Sequence, residues 1–352
     1  MDEEIKNAEN GNGLTVPIKI ENALKQLKTE LPGLEIRENE PMSRHGSFHS
    51  GGNARAFLAP QSVMSLTKVC SILKDNQLMP FILGNGTNVV FPDEGTPELV
   101  VVSMEKLQNL MLLPDGAIYA EAGVSLSRLA AFAQQNGRKG LEFASGIPGT
   151  VGGGCFMNAG AYGGELKDAV ESVVCYYLPM QQLCELNREQ CEFGYRTSSF
   201  RKNAGYMILS AVFRLEDGDP EEIAEKMREL SMKRREKQPL EFPSCGSAFK
   251  RPEGAYAAAL IEECGLKGCR VGGAQVSEKH SGFIINTGNA TSTDLYELMK
   301  KVRNTVYEMK KIELEPEIIL LPPDYRLEDN GPKIHKNLVA DGNAFNGGEN
   351  MQ

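Results

Sequence analysis

Tryptophan is absent from this chain of 352 residues, and histidine occurs only four times. The eight cysteines contain no Cys-X-X-Cys pair, and no zinc-finger or HExxH pattern is present, so we predict neither a metal site nor disulfides. No apolar run approaches the roughly 18 residues that a membrane span requires. The acidic N terminus also lacks the basic start of a signal peptide. We therefore expect a cytoplasmic protein with no membrane partner.

A surplus of basic residues is also missing. Lys and Arg number 38 against 47 Asp and Glu, which gives a formal net charge of -9. Non-specific binding to nucleic acid needs a net basic face, so no nucleic-acid partner is predicted. Part of the acidity lies in two polar ends, which we interpret as a disordered acidic tail (1–14) and a polar C-terminal tail (321–352). Any phosphate must then be bound locally.

Glycine, by contrast, is abundant: 36 residues, or about 10% against roughly 7% in average proteins. Nine of them fall in 140–164, and a second glycine-rich segment, LGNGTNVVF (83–91), follows an apolar strand. Neither segment has the GxGxxG or P-loop spacing. Closely spaced glycines let backbone amides approach a ligand and form anion-binding concavities. Two such loops predict an elongated, phosphate-bearing cofactor, although each loop alone could be a surface turn.

The hydrophobic periodicity predicts an α+β protein in several parts. Helical spacing at 18–31 and 61–76 alternates with short β-rich segments, and 170–215 is typical of antiparallel strands. Asp219 and Pro220 predict the start of a long helix and a domain boundary. Beyond it we predict a compact α+β domain (220–320) that ends in a strand over KIELEPEIILL (311–321).

Three polar residues are candidates for chemistry. Arg196 in EFGYRTSSF could pair with a carboxylate, or could be a surface arginine in a hairpin. Ser247 lies in a Pro/Gly-rich loop, where serine is ordinarily a turn residue. Glu317 would project from one face of a strand, where a lone carboxylate is usually an ion-pair partner. No GxSxG elbow is present, so a hydrolase nucleophile is not predicted.

Taken together, LGNGTN, GIPGTVGG, MNAGAYGGE, GYRTSSF, KQPLEFPSCGSAFK and VSEKHSGFIIN resemble the UDP-N-acetylenolpyruvoylglucosamine reductase family over about residues 20–320. The resemblance implies a vanillyl-alcohol-oxidase-type FAD-binding fold in two lobes (15–105 and 106–218) and a substrate-binding domain (219–320). It also implies that FAD is held by two loops, whose residues are Gly84, Asn85, Gly86, Thr87, Asn88, Gly146, Ile147, Gly149, Thr150, Gly152 and Gly153.

The same resemblance implies a reaction. NADPH reduces the FAD, and the reduced flavin passes hydride to UDP-N-acetylglucosamine enolpyruvate, giving UDP-N-acetylmuramate for peptidoglycan precursor synthesis. By position, Arg196 and Glu317 match the residues that polarise the substrate carboxylate, and Ser247 matches the proton donor. Candidates for substrate contacts are Tyr162, Tyr195, Lys237 and Gln238.

This sequence departs from the family pattern in places. Ile318-Ile319 follows Glu317 where Val-Arg is usual, His49 replaces a basic residue and Asn53 a proline. The short connection from Arg196 to Ser247 resembles the subtype without a tyrosine lid loop. Two alternatives stay open: an FAD-dependent oxidase acting on another substrate, and a non-catalytic protein that binds flavin or a nucleotide sugar. The sequence leaves the oligomeric state open, with a monomer favoured.

Overall fold

A computed structural model describes residues 15–322. The predicted acidic tail and all of the predicted C-terminal tail after Pro322 lie outside the described residues. In the first lobe, the polypeptide forms a four-stranded sheet with strand order β1-β2-β5-β3, in which β1 is antiparallel and the other pairings are parallel. The elements are α1 (Val16–Glu30), β1 (Glu35–Pro41), β2 (Asn53–Ala59), α2 (Val63–Asp75), β3 (Phe81–Leu83), β4 (Val89–Val90) and β5 (Thr96–Ser103).

The second lobe is built on an antiparallel sheet with order β12-β11-β13-β7-β6. Ser125 caps α3 by accepting a hydrogen bond from the Arg128 amide. The elements are β6 (Leu110–Leu112), β7 (Ile118–Glu121), α3 (Leu126–Gln135), β8 (Arg138–Lys139), α4 (Val151–Met157), β9 (Gly160–Ala161), β10 (Gly164–Glu165), β11 (Val170–Tyr177), β12 (Gln182–Asn187), α5 (Ser199–Lys202), β13 (Tyr206–Phe213), β14 (Glu216–Asp217) and α6 (Pro220–Lys237).

The third unit has a four-stranded antiparallel sheet, β15-β18-β17-β16, packed with two helices. Its elements are β15 (Ser244–Ser247), α7 (Ala257–Glu263), β16 (Arg270–Val271), β17 (Ala274–Val276), β18 (Phe283–Asn286), α8 (Ser292–Lys310) and β19 (Ile319–Leu320). The predicted α+β class is therefore observed in all three units. Among residues 15–322, no helix is long and apolar enough to cross a bilayer.

Burial on both faces of the first sheet unites the two lobes. Alternate residues of a strand point to opposite faces. Ala56 and Leu58 belong to a core shared with the second lobe, whereas Phe57 and Ala59 belong to a cluster on the other face. The first two lobes thus share one hydrophobic core. A separate core holds the third unit together and includes Phe48 from the first lobe.

Helix α6 lies against the second lobe, although its start is where we predict the domain boundary. The Gln134 side chain donates a hydrogen bond to the Pro220 carbonyl, and the Gly218 amide donates to the Gly137 carbonyl. Lys279 of the third unit donates to the Arg235 carbonyl near the other end of the helix. The boundary at 219 stays a prediction, and these contacts favour a division after α6.

The strand predicted over 311–321 is wrong for most of its length. Only β19 forms, parallel to β4, after a single bridge between Phe249 and Pro316. Pro316 has no amide hydrogen to donate to a ladder, so regular pairing stops there. The segment instead crosses from the third unit to the first lobe and carries Glu317 between them.

Candidate functional site

The two glycine-rich loops predicted to hold the cofactor lie against each other. The Asn85 side chain donates a hydrogen bond to the Pro148 carbonyl over 3.1 Å. A Cβ added to Gly84 would lie 2.6 Å from Thr150 Oγ1, and a Cβ on Gly149 would lie 3.9 Å from Thr87 Oγ1. Residues 63 positions apart in sequence therefore meet in one cradle, and at Gly84 the approach is too close for a side chain.

Several amides of this cradle have no acceptor within the protein. The N–H groups of Asn85, Gly86 and Thr87 donate no hydrogen bond to any residue of 15–322. The amides of Gly152 and Gly153 differ, since they donate to the Ala122 carbonyl and to Thr150 Oγ1. Adjacent backbone amides without acceptors are suited to phosphate oxygens. The cradle therefore fits a dinucleotide such as FAD, with the loop at 84–88 as its anion-binding part.

The remaining predicted cofactor residues have structural contacts as well. Ile147 packs against the shared core, and Thr150 caps α4. Asn88 is engaged on both sides: its side chain donates to the Glu317 carbonyl at 3.0 Å, and its own carbonyl accepts from the Ile319 amide. Asn88 therefore joins the cofactor loop to the segment that carries Glu317.

We expect Gly86→Ala to abolish FAD retention. Gly86 has φ +60°, and an added Cβ would overlap the carbonyl oxygen of His45, so the loop must move. Gly265→Ala is the matched control, because Gly265 has φ +70° but no atom within 4 Å of its added Cβ. The control should lose only about 1 to 2 kcal/mol of stability from backbone strain. Absorbance of the purified proteins at flavin wavelengths measures the difference, and equal FAD content in both would contradict the prediction.

Arg196 and Glu317 form a partly buried ion pair. Arg196 Nε donates to Glu317 Oε1 at 2.6 Å, and its Nη2 donates to the Gly160 carbonyl at 3.1 Å. The side chains are only 19% and 15% exposed. Arg196 Nη1 donates no hydrogen bond to any described residue, so one edge of the guanidinium is available to a ligand. The residues are 121 positions apart, and only the fold brings them together.

Burial governs the electrostatics of Glu317. It raises the pKa of this carboxyl above its ordinary value, and the nearby cations Arg196, Lys250 and Arg201 act in the opposite direction. The Glu317 amide donates to the Ala248 carbonyl at 2.9 Å, which holds its backbone beside the loop that follows β15. The carboxylate is thus fixed in place and remains sensitive to pH.

Ser247 ends β15, one residue before the carbonyl that accepts from the Glu317 amide. Gly246 precedes it with φ +76°, a backbone conformation that turns the strand at this point. Ser247 is half-buried, and its hydroxyl has no hydrogen-bond partner among residues 15–322. A serine serving only as a turn residue would normally bond a nearby backbone group. The free hydroxyl is consistent with a ligand contact.

The predicted substrate residues differ in their surroundings. Tyr195 accepts a hydrogen bond from the Arg251 amide, and the Arg196 guanidinium lies 5.2 Å from its ring centroid. Tyr162 is half-exposed and has a left-handed backbone (φ 53°). Gln238 Oε1 is buried with no partner in the described part of the chain. Lys237 is exposed at the end of α6.

Arg234 also lies at the site, although the sequence did not predict it. Its side chain packs over Gly146, where an added Cβ would lie 3.1 Å from Nη1, and Tyr162 acts on it electrostatically. Burial lowers the pKa of Arg234, yet no carboxylate of residues 15–322 pairs with it. A partly buried guanidinium without a counter-ion suits an anionic ligand. The only sequence signal was its place one turn before KQPL.

Comparison with known proteins agrees with this geometry. An FAD binding domain model matches residues 54–179, and a model of the UDP-N-acetylenolpyruvoylglucosamine reductase C-terminal domain matches 238–321. The glycine cradle and the FAD binding domain define the class of the protein as an FAD-dependent oxidoreductase. The second model starts directly after α6.

Relatives over nearly the whole described chain narrow the class to a family. A UDP-N-acetylenolpyruvoylglucosamine reductase of Clostridium tetani is 43% identical over 305 residues, covering 87% of this chain and 97% of the relative. One from Caldanaerobacter subterraneus is 46% identical over 293 residues, covering 83% and 96%. The crystal structure of the Thermus caldophilus reductase matches with a TM-score of 0.69 and 32% identity, covering 82% and 99%. The chain belongs to the UDP-N-acetylenolpyruvoylglucosamine reductase family, and the predicted resemblance is confirmed.

Proposed function

We propose that the protein reduces UDP-N-acetylglucosamine enolpyruvate to UDP-N-acetylmuramate, with NADPH as the reductant. The observation that carries the proposal is the Arg196–Glu317 pair, which leaves a guanidinium edge free next to the Ser247 segment. Bound FAD supplies the hydride transfer from NADPH to the substrate. Neither a simple oxidase nor a flavin-binding sensor would need this arrangement of cation, carboxylate and free hydroxyl.

Each of the three residues has a distinct role in this proposal. Arg196 binds the enolpyruvyl carboxylate through its free edge, and so stabilises the negative charge that develops there when hydride reaches the neighbouring β-carbon. Glu317 accepts from Arg196 Nε and so holds the guanidinium in the orientation that this contact requires. Ser247 then gives its hydroxyl proton to the α-carbon, and the alkoxide that remains regains a proton from solvent. A serine is a weak acid, so this step requires a strongly basic enolate and a hydroxyl fixed close to it.

Binding of the nucleotide is assigned to the surrounding residues. The amides of the 84–88 loop hold the FAD diphosphate, and Arg234 meets the UDP diphosphate, with Tyr162, Tyr195, Lys237 and Gln238 around the sugar and base. Tyr162 is half-exposed and therefore accessible to a ligand. Positive charge is thus supplied at a few positions of an otherwise acidic protein.

For Arg234→Met we expect the KM for the UDP substrate to rise about tenfold to a hundredfold, because a charged hydrogen bond contributes about 1.5 to 3 kcal/mol. FAD content and the KM for NADPH should change little. Arg235→Met, the exposed neighbour on the same helix, is the control. Steady-state kinetics with each substrate varied in turn measures the effect. A loss of FAD with an unchanged KM for the UDP substrate would move Arg234 to the cofactor site.

The assignment as a whole is tested by anaerobic mixing in two steps. NADPH should bleach the flavin, and UDP-N-acetylglucosamine enolpyruvate should restore its colour with formation of UDP-N-acetylmuramate. Reduced protein that this substrate does not reoxidise would refute the proposed reaction.

A further inference from the structure

Arg201 is a partly buried cation that the proposed mechanism does not use. It lies in the short helix α5, and its Nη1 donates to the Arg196 carbonyl at 2.9 Å and contacts Met157 Sδ at 3.1 Å. No carboxylate of residues 15–322 lies within ion-pair distance of it. Burying an arginine without a direct counter-ion is costly. The position therefore calls for a compensating role.

The contacts of Arg201 close a ring around the ion pair. Arg201 reaches the Arg196 carbonyl, and Arg196 Nε reaches Glu317. The Glu317 carbonyl accepts from the Asn88 side chain, which also contacts Met157 Sδ at 3.8 Å. Met157 leads back to Arg201. The cofactor loop, α4, α5 and the C-terminal segment are thereby joined at one point.

The backbone conformation of Arg196 explains what this ring of contacts stabilises. Arg196 has φ 54°, in the left-handed region that non-glycine residues rarely occupy. A strained residue persists only where its surroundings hold it. The bond from Arg201 to the Arg196 carbonyl acts on that strained peptide. It also places a second positive charge near Glu317, on which Arg201 acts electrostatically.

We infer that Arg201 is a positioning residue, which holds Arg196 in its strained conformation and keeps the Arg196–Glu317 pair aligned for the substrate carboxylate. The inference rests on the roles proposed above for Arg196 and Glu317. In the proposed reaction Arg201 touches neither ligand nor reacting atoms. It acts through the Arg196 carbonyl and through its charge, so its removal should affect only the step that uses the pair.

The test compares Arg201→Met and Arg201→Lys with Lys202→Met, which removes a charge from the next, exposed residue of α5. For Arg201→Met we expect reoxidation by UDP-N-acetylglucosamine enolpyruvate to slow about tenfold to a hundredfold, the usual cost of misplacing a reacting group. Reduction by NADPH should stay within about twofold of the unmodified rate. Arg201→Lys keeps the charge but lacks the planar guanidinium, so its reoxidation rate should lie between those of Arg201→Met and the unmodified protein.

The pH profile of reoxidation separates positioning from general damage. Glu317 is faced by Arg196, Arg201 and Lys250, with Glu315 on its own segment. Arg201 is one of the cations that lower the pKa of Glu317, so the acid limb should move to higher pH in Arg201→Met. It should stay in place in Arg201→Lys, which keeps the charge, and in Lys202→Met. FAD content and thermal unfolding of each variant show that the proteins are folded.

Two results would overturn the inference. The first is that Arg201→Met behaves like Lys202→Met in both steps. If Arg196→Met and Glu317→Gln then still lose reoxidation, the proposed function is unaffected by this result. The second is an equal loss in both steps with FAD released, which would make Arg201 merely structural. If Arg196→Met and Glu317→Gln are themselves reoxidised normally, the proposed function fails first.

Discussion

Ser247→Ala is expected to leave reduction of the flavin by NADPH nearly unchanged and to slow reoxidation by the enolpyruvyl substrate about 10² to 10⁴-fold, the usual contribution of a general acid. The reason is that the hydroxyl is assigned only to the second half of the reaction, in which the α-carbon takes its proton. In the folded protein this hydroxyl has no hydrogen-bond partner among residues 15–322, so its removal breaks no hydrogen bond there. Anaerobic stopped-flow absorbance resolves the two steps.

Ser244→Ala on the same strand provides the control. Its carbonyl accepts from the Ser47 hydroxyl, and the substitution leaves that bond intact. We expect normal rates in both steps for this variant. If Ser247→Ala lost both steps equally, or neither, Ser247 would not be the proton donor.

Glu317→Gln should lower the rate of reoxidation about 10² to 10³-fold, in the range found for groups that stabilise transition-state charge. It should also remove the acid limb of the pH profile. In the unmodified protein, burial raises the pKa of Glu317, and protonation as the pH falls through that pKa dissolves the pair with Arg196. The rate therefore declines on the acid side. Glutamine cannot titrate, so the variant should be slow and flat over the same range.

Stability should respond differently from activity. Because the folded pKa of Glu317 is raised, its contribution to stability is most favourable below the pKa of an unfolded carboxyl and is lost as pH rises through the folded value. Glutamine resembles the protonated carboxyl that this linkage favours in the folded state, so Glu317→Gln should lower the midpoint of thermal unfolding by no more than about a few degrees. Glu315→Gln, an exposed carboxylate two residues earlier, is the control and should keep both rate and acid limb. A Glu317→Gln protein with an unaltered acid limb would assign that limb to another group.

Local sequence was sufficient for several separate helices of the fold. Periodicity predicted the helices over 18–31 and 61–76, and Asp219 predicted the start of α6, because such signals depend on close neighbours: the Asp219 side chain accepts from the Glu221 amide. The prediction of a strand over 311–321 was wrong because pairing there depends on residues far away in sequence. Its partners, β4 and Phe249, come from different units.

The candidate site likewise combines features that the sequence predicted with features that only the fold decided. Glycine spacing and the ordered series of motifs by themselves determined the family, and they predicted the FAD loops and the candidates Arg196, Ser247 and Glu317. Tertiary structure alone decided that the loop at 84–88 keeps free amides while Gly152 and Gly153 use theirs internally. It also decided that Arg201 and Arg234 are cations without carboxylate partners in the described chain. Whether a charge is paired depends on burial and on residues more than a hundred positions away, and a linear pattern carries neither.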